Sequence, residues 1–141
     1  MSAQDIVARF VDALAQRDVD GAMSSVAGDV RVSIAPLHVQ GTGSAALRTV
    51  LDDLVTAFPD LLLTVQRSIA TGDVVTVQLK VEGTQAAPYA GAINQEKHLD
   101  LDQAWRFTVD GDAVVAIDAY WCQQQLYRRL AVKRLDQLAI A

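Results

Sequence analysis

The first part of the chain carries apolar residues at the spacing of α-helices. Between residues 2 and 17 they recur every three or four positions, and Ser2 stands where a helix cap is expected. The resulting stripe is Ile6, Phe10 and Leu14, with Val7 and Val11 beside it. A break at residues 18–21 precedes a short second helix, predicted to run to about residue 26. A third helix is predicted from Ser44 to the Pro59-Asp60 pair, which ends it.

Most of the remaining chain follows the two-residue period of β-strands. A short strand is predicted where Val30, Val32 and Ile34 alternate with polar residues, and residues 36–43 after it are predicted to form a loop. Further strands are predicted at about 61–69, 75–82, 99–109 and 115–121. Residues 83–96 are predicted to be a loop, and Asp110-Gly111 is typical of a hairpin turn.

The longest predicted strand has an apolar face and a polar face. Its apolar face consists of Leu99, Leu101, Gln103, Trp105, Phe107 and Val109. Its polar face consists of His98, Asp100, Asp102, Arg106 and Thr108. Such a row is typical of a solvated surface, although paired carboxylates can also perform acid–base chemistry. A C-terminal helix is predicted over about 123–138, with the apolar stripe Leu126, Leu130, Leu135 and Leu138.

Helices followed by a run of strands indicate an α+β fold, in a single domain over residues 1–141. We expect a curved antiparallel sheet wrapped over the N-terminal helices. Where the two layers of such a fold diverge they leave an apolar pocket, which is a common kind of small-molecule site.

Composition and charge narrow the classes of function. The 141 residues are 51% apolar and 21% charged, which is enough for a core without disulfides or metal ions. Seventeen acids against twelve bases leave a formal charge of −5, which argues against a nucleic-acid partner. The C-terminal bases are interpreted as a solvated helix face: Arg128, Arg129, Lys133 and Arg134.

The expected location is the cytoplasm. A single cysteine forms no internal disulfide, no apolar run approaches 18 residues, and the N-terminus does not resemble a signal peptide. Two distant histidines and one cysteine argue against a zinc site. We expect neither a metal nor a membrane partner.

Gln103 interrupts the apolar face of the longest strand. A buried amide without partners costs about 1–3 kcal/mol, so this side chain either is satisfied within the core or binds a ligand oxygen. Trp105 and Trp121 are predicted to share a face with Gln103 on adjacent strands. They either line a flat aromatic pocket or fill the core.

Three other residues are candidates for chemistry. Cys122 ends the last strand, but a nucleophilic thiolate needs a base or cation beside it and none is close in sequence. His38 lies in a predicted loop and is either a general base at a pocket mouth or an exposed bystander. Tyr89, in the segment Ala87-Pro88-Tyr89-Ala90-Gly91, is expected to fold over the pocket as part of a lid.

Several short motifs follow one another along the chain: Ala57-Phe58-Pro59-Asp60-Leu61, Thr71-Gly72-Asp73-Val74-Val75, Gly83-Thr84, Asp110-Gly111 and Leu126-Tyr127-Arg128-Arg129-Leu130. In this order they resemble the SnoaL-like polyketide cyclases of the nuclear transport factor 2-like, or ketosteroid isomerase-like, superfamily. Residues 18–21 and 41–48 also look like the related ketosteroid isomerases. The resemblance covers nearly the whole chain. It implies a cone-shaped pocket, a homodimer formed through the sheet, and proton chemistry without a cofactor.

At the family's catalytic positions the chain departs from the family pattern. SnoaL-like cyclases tend to carry an aspartate and, five residues earlier, a histidine, where this chain has Cys122 and Ile117. The tyrosine, the aspartate base and the strand acid of the ketosteroid isomerases correspond to Phe10, Ala35 and Gln103. Only Gln103 of these residues keeps a hydrogen-bonding side chain.

The resemblance implies a small enzyme of secondary metabolism that cyclises or isomerises an apolar, oxygenated, polyketide-like substrate through an enol or enolate. Gln103 would hold a substrate oxygen, and Cys122, His38 or Asp118 would transfer the proton. The residues expected to line the substrate pocket are Trp105, Trp121, Tyr89, Phe10, Leu14 and Ile117.

Two alternatives remain open. The chain is either such an enzyme or a non-catalytic ligand-binding or dimeric assembly module, in which Trp105, Trp121 and Phe10 fill the pocket. It could also be an epoxide hydrolase or an epoxide-opening cyclase, although Ala119 stands where a limonene-type hydrolase requires an acid. An open cavity that reaches Gln103 would favour an enzyme.

Overall fold

The computed structural model describes residues 1–134, 137 and 138. Its elements are α1 (Ala3–Ala15), α2 (Val19–Met23), β1 (Val26–Ile34), a 3₁₀ turn (Ala35–Leu37), β2 (Val39–Thr42), α3 (Ser44–Ala57), β3 (Leu62–Thr71), β4 (Val74–Thr84), β5 (His98–Asp110), β6 (Ala113–Trp121) and α4 (Gln123–Arg129). This order confirms the predicted α+β class. No helix in the described part of the chain is long and apolar enough to cross a membrane.

The six strands form one curved, open sheet in the order β2-β1-β6-β5-β4-β3. Neighbouring strands are antiparallel except β1 and β6, which run parallel with Val32 opposite Ile117. The expectation of a wholly antiparallel sheet is therefore wrong at this pair. The two strands lie far apart in sequence, and the apolar period of a strand carries no information about the direction of a distant neighbour.

Strand β2 lies within residues 36–43, which were predicted to form a loop. After the 3₁₀ turn the chain folds straight back along β1, so that Val39 pairs with Ile34 and Thr42 with Arg31. Three of the four side chains of β2 are exposed. So short an edge strand has too few buried positions to reveal a two-residue period.

The helices pack on one face of the sheet. A capping box begins α1: the Asp5 amide donates to the Ser2 hydroxyl, and the Ser2 amide donates to the Asp5 carboxylate, both at 3.1 Å. The predicted stripe of α1 is buried, and Phe10 meets Phe107 of β5 edge-on with ring centroids 5.3 Å apart. The two faces predicted for β5 are confirmed, because its apolar row is buried and its polar row is exposed or half-buried.

Helix α4 is shorter than the predicted C-terminal helix over 123–138. It ends at Arg129 because Ala131 adopts a left-handed φ of 60°, and the Val132 amide then donates to the Tyr127 carbonyl at 2.8 Å. This is the hydrogen-bond pattern of a Schellman motif. Leu135, which was predicted to lie on the helix, is outside the described residues.

Candidate functional site

Gln103 makes a hydrogen bond to a neighbour on its own strand. The Trp105 indole nitrogen donates to the Gln103 side-chain oxygen at 2.8 Å, within the buried row of β5. Trp105 in turn stacks on Phe107, with ring centroids 6.1 Å apart. Among the described residues, the Gln103 amide nitrogen has no hydrogen-bond partner. The Gln103 side-chain oxygen thus has a partner in the core and its nitrogen has none among the described residues. The expected role of Gln103 in holding a substrate oxygen stays a prediction.

Four residues expected to line the substrate pocket are buried in the core: Phe10, Leu14, Trp105 and Ile117. Trp121, opposite Gln103 on β6, is partly buried and donates its indole hydrogen to the Gln123 side chain at 2.8 Å. Gln103 and Trp121 also line a cavity of about 340 Å³, together with residues of the opposite sheet face such as Asp102 and Tyr120.

The three residues expected to transfer protons lie apart. Cys122 is exposed at the start of α4, where its Sγ accepts from the Gln125 amide at 3.4 Å. His38 is exposed and ends the 3₁₀ turn with a left-handed φ of 55°. Asp118 of β6 lies opposite Arg106 of β5 in the strand register, on the sheet face opposite to that of Gln103. Asp118 and Gln103 thus do not face a common site.

A cavity of about 440 Å³ lies between the 3₁₀ turn with β2, helix α3 and the loop that joins β4 to β5. Its lining residues are Leu37, Val39, Ala46, Thr49, Val50, Asp53, Tyr89, Ala90 and Gly91. Most of the lining side chains are apolar, and the volume lies in the range of small-molecule sites. Tyr89 is the one residue among the sequence-predicted site residues that lines this cavity, while His38 lies between two of its lining residues, Leu37 and Val39.

A tight hairpin turn presents Tyr89 to the cavity. The amides and carbonyls of Tyr89 and Ala92 bond to each other in both directions, at 3.0 and 2.8 Å. Between them, Ala90 and Gly91 take left-handed φ values of 51° and 83°. A two-residue hairpin with both central residues left-handed favours glycine, which the sequence supplies at the second position.

Gln85 holds this hairpin from within the loop. Its side chain is buried, and its amide nitrogen donates to the carbonyls of Ala87 and Ala92, both at 3.2 Å. Its side-chain oxygen accepts from the Gln95 amide at 3.4 Å. Gln85 was not foreseen from the sequence, because an amide in a loop of small and polar residues gives no sign that it will be buried.

Helix α4 and the residues that follow it hold the same loop. The Tyr127 hydroxyl donates to the Ala90 carbonyl at 2.8 Å. The Gln95 side chain donates to the carbonyls of Leu130 and Ala131, at 3.1 and 2.9 Å. The hairpin that carries Tyr89 is therefore held by hydrogen bonds from Gln85 within its own loop and from Tyr127 in α4.

Tyr89 and Asp53 are the ionisable residues that line the cavity. The Tyr89 ring packs edge-on against Phe58, with centroids 5.3 Å apart, and the side chain is buried. Burial raises the pKa of the Tyr89 hydroxyl, and the nearby Asp53 carboxylate raises it further. Among the described residues, that hydroxyl has no hydrogen-bond partner. Tyr89 is therefore a neutral hydrogen-bond donor at neutral pH, free to serve a ligand.

Asp53 was not foreseen from the sequence, although its spacing carried a signal. Ala46, Val50 and Asp53 stand at i, i+4 and i+7, on one face of α3 that reaches the cavity. Asp53 is exposed, and its carboxylate extends the face formed by Ala46 and Val50. Among all the described residues, no group of three or more His, Cys, Asp or Glu side chains is placed to hold a metal ion.

Helices on one face of an open, curved sheet place the chain in the class of ketosteroid isomerase-like folds. Within that class, the chain belongs to the SnoaL-like domain family, whose model matches residues 7–117. The resemblance seen in the short motifs is thereby confirmed. No protein with a curated description matches the chain.

Three solved structures illustrate the shared fold. A candidate hydroxylase from Streptomyces galilaeus, AclR, has a TM-score of 0.82 at 19% identity, over 94% of this chain and 97% of that one. A candidate SnoaL-like polyketide cyclase from Jannaschia sp. CCS1 has a TM-score of 0.81 at 18% identity, over 94% and 93%. A protein from Catenulispora acidiphila with a ketosteroid isomerase-like fold has a TM-score of 0.74 at 14% identity, over 91% and 93%.

Proposed function

We propose that this protein is an enzyme that cyclises or isomerises an apolar, oxygenated, polyketide-like molecule through an enol or enolate, using its own side chains without a cofactor. The observation that carries the proposal is that the neutral Tyr89 hydroxyl and the Asp53 carboxylate line the same cavity. Membership of the SnoaL-like family and the similarity to a candidate polyketide cyclase support the reaction class.

The two side chains can divide the reaction between them. The Asp53 carboxylate removes a proton from the carbon next to a substrate carbonyl, and the electron pair moves onto the carbonyl oxygen. The Tyr89 hydroxyl donates a hydrogen bond to that oxygen, where negative charge develops. A donor held by the fold stabilises this charge without reorganising during the reaction.

The enolate then has two outcomes, and neither needs an oxidant or a reductant. In an isomerisation, Asp53 returns the proton to a different carbon and the double bond moves. In a cyclisation, the enolate carbon attacks a second carbonyl of the same molecule, and the resulting alkoxide receives the proton. Both products have the mass of the substrate, so mass-matched chromatography identifies them.

The test is a panel of aromatic polyketides, steroid enones and terpenoid epoxides, followed by tryptophan fluorescence and by chromatography of products. We expect saturable binding and a new isomer. Tyr89→Phe should lower kcat by a factor of about 10²–10³, as removal of one oxyanion donor does. Tyr120→Phe, on an exposed tyrosine of β6, is the matched control and should leave kcat unchanged.

The same panel separates the alternatives. Hydration or opening of an epoxide, with the enones unchanged, would assign the protein to the epoxide-opening class. Saturable binding without any product would favour the non-catalytic module. Equal kcat for wild type and Tyr89→Phe would remove Tyr89 from the mechanism.

A second copy of the chain is the proposed protein partner, bound through the face of the sheet that the helices leave uncovered. Arg31, Arg106 and Asp118 line a groove on that face, and neither arginine forms a salt bridge within the described chain. In a two-fold dimer, Asp118 of one copy can pair with an arginine of the other. Light scattering should report twice the monomer mass, and Arg106→Glu should lower it; a monomeric wild type would refute the dimer.

A further inference from the structure

The cavity beside Tyr89 has an unbalanced charge. Among its lining residues Asp53 supplies a carboxylate, whereas the buried Tyr89 hydroxyl is neutral. No lysine, arginine or histidine belongs to the described lining. The remaining walls are aliphatic side chains and backbone, apart from Thr49. Its hydroxyl donates to the Ala45 carbonyl at 3.2 Å.

Two basic residues that lie close in sequence to lining residues do not offset this charge. Arg48, on the same helix as Asp53, forms a salt bridge with Asp20 at 2.7 Å and is not part of the lining. His38 is exposed between two lining residues but is not itself one. An anionic group placed in the cavity would thus meet a like charge and no described counter-ion.

We propose that the Tyr89 cavity selects uncharged ligands against anionic ones, and that Asp53 is the residue that sets this selection. The inference rests on the proposed function only in using the same cavity. A ligand carboxylate would lose its hydration against the aliphatic walls and would face the Asp53 carboxylate, so both effects disfavour it. An uncharged carbonyl or amide accepts the Tyr89 hydrogen bond without either cost.

This selection restricts which functional group the substrate of the proposed reaction can carry at its reacting end. The reacting end of the molecule enters as a ketone, amide or similar uncharged carbonyl, and a free acid at that end is excluded. Asp53 then acts on a neutral substrate, which is also the form from which a carbon-bound proton is more readily removed. Specificity and proton transfer are served by the same carboxylate.

Binding of 2-naphthamide and 2-naphthoate tests the proposal. The two probes share a ring system and have nearly the same size, but differ by one negative charge. With isothermal calorimetry at neutral pH and low salt, we expect the amide to bind the wild type about tenfold more tightly than the acid. About 0.5 M salt should reduce that ratio, since salt screens exposed charges.

Two neighbouring aspartates supply the matched variants. Asp53→Asn should bring the naphthoate affinity to within about threefold of the amide affinity, because the like charge is gone. Asp52→Asn removes the same charge from the adjacent position, which is exposed as Asp53 is but lies outside the cavity lining, and should leave the ratio unchanged.

Each result has a defined consequence. Equal affinities of the wild type for the two probes, equal effects of the two variants, or no binding of the amide would overturn the proposal. These measurements need no turnover. A protein that discriminates between the probes but converts no substrate refutes the proposed function alone, whereas an active enzyme that binds both probes equally refutes the charge selection alone.

Discussion

The Trp105 indole nitrogen and the Gln103 side-chain oxygen form a 2.8 Å hydrogen bond between residues on the same buried face of β5. In an extended strand, residues two apart point to the same face, so this pair is a consequence of local geometry. It gives the indole a partner in the core and leaves the Gln103 amide nitrogen without one among the described residues.

Gln103→Leu should therefore reduce stability. The substitution leaves the Trp105 indole hydrogen buried without an acceptor, and the free energy of unfolding should fall by about 1–3 kcal/mol in urea denaturation. The double variant Gln103→Leu with Trp105→Phe removes both partners and should be less destabilised than the sum of the two single changes. Strict additivity would mean that the bond does not couple the two residues.

Tyr127→Phe should loosen the hairpin that carries Tyr89. The change removes the hydrogen bond to the Ala90 carbonyl and should cost about 1 kcal/mol of stability. Ligand affinity in the cavity should fall with it, because Ala90 is part of the lining. Tyr120→Phe makes the same chemical change at an exposed site, and calorimetry should find its ligand affinity equal to that of the wild type.

Stability should fall in alkaline solution on account of Tyr89. Burial raises the pKa of its hydroxyl above the ordinary value of 10.0, so the unfolded chain loses this proton first. The contribution to stability is fully present below about pH 10 and is lost as the pH rises towards the folded-state pKa. The free energy of unfolding should decline more steeply between about pH 9.5 and 11 for the wild type than for Tyr89→Phe. Parallel curves would contradict the buried, protonated tyrosine.

Gly83→Ala should disturb the packing behind Tyr89. A Cβ at this position would lie 2.9 Å from the Phe58 Cβ, and the Phe58 ring packs edge-on against the Tyr89 ring. We expect a loss of about 1–3 kcal/mol of stability, as for other overpacked sites. Gly28→Ala is the control, since nothing lies within 4 Å of a Cβ there. Similar melting temperatures for the two variants would mean that Phe58 yields without cost.

Much of the fold was predictable because its cause is local. Ser2 and Asp5 stand three residues apart and form the capping box that begins α1. The alternation along β5 places Gln103 and Trp105 in the core whatever their neighbours are. The family followed from short motifs at turns and strand ends, and the matching domain model bears that out.

The sequence by itself determined the main helices, the long strands and their buried faces, since period and capping act within a few residues. Only the tertiary structure decided that β1 runs parallel to β6, that α4 ends at Arg129, and that Asp53 shares a cavity with Tyr89. The strand pair and the cavity depend on contacts between segments far apart in the chain, whereas α4 ends in a local Schellman motif whose left-handed residue is Ala131 and not the usual glycine. A pattern of apolar residues predicts which face of an element is buried, but it does not predict which distant side chains that face contacts.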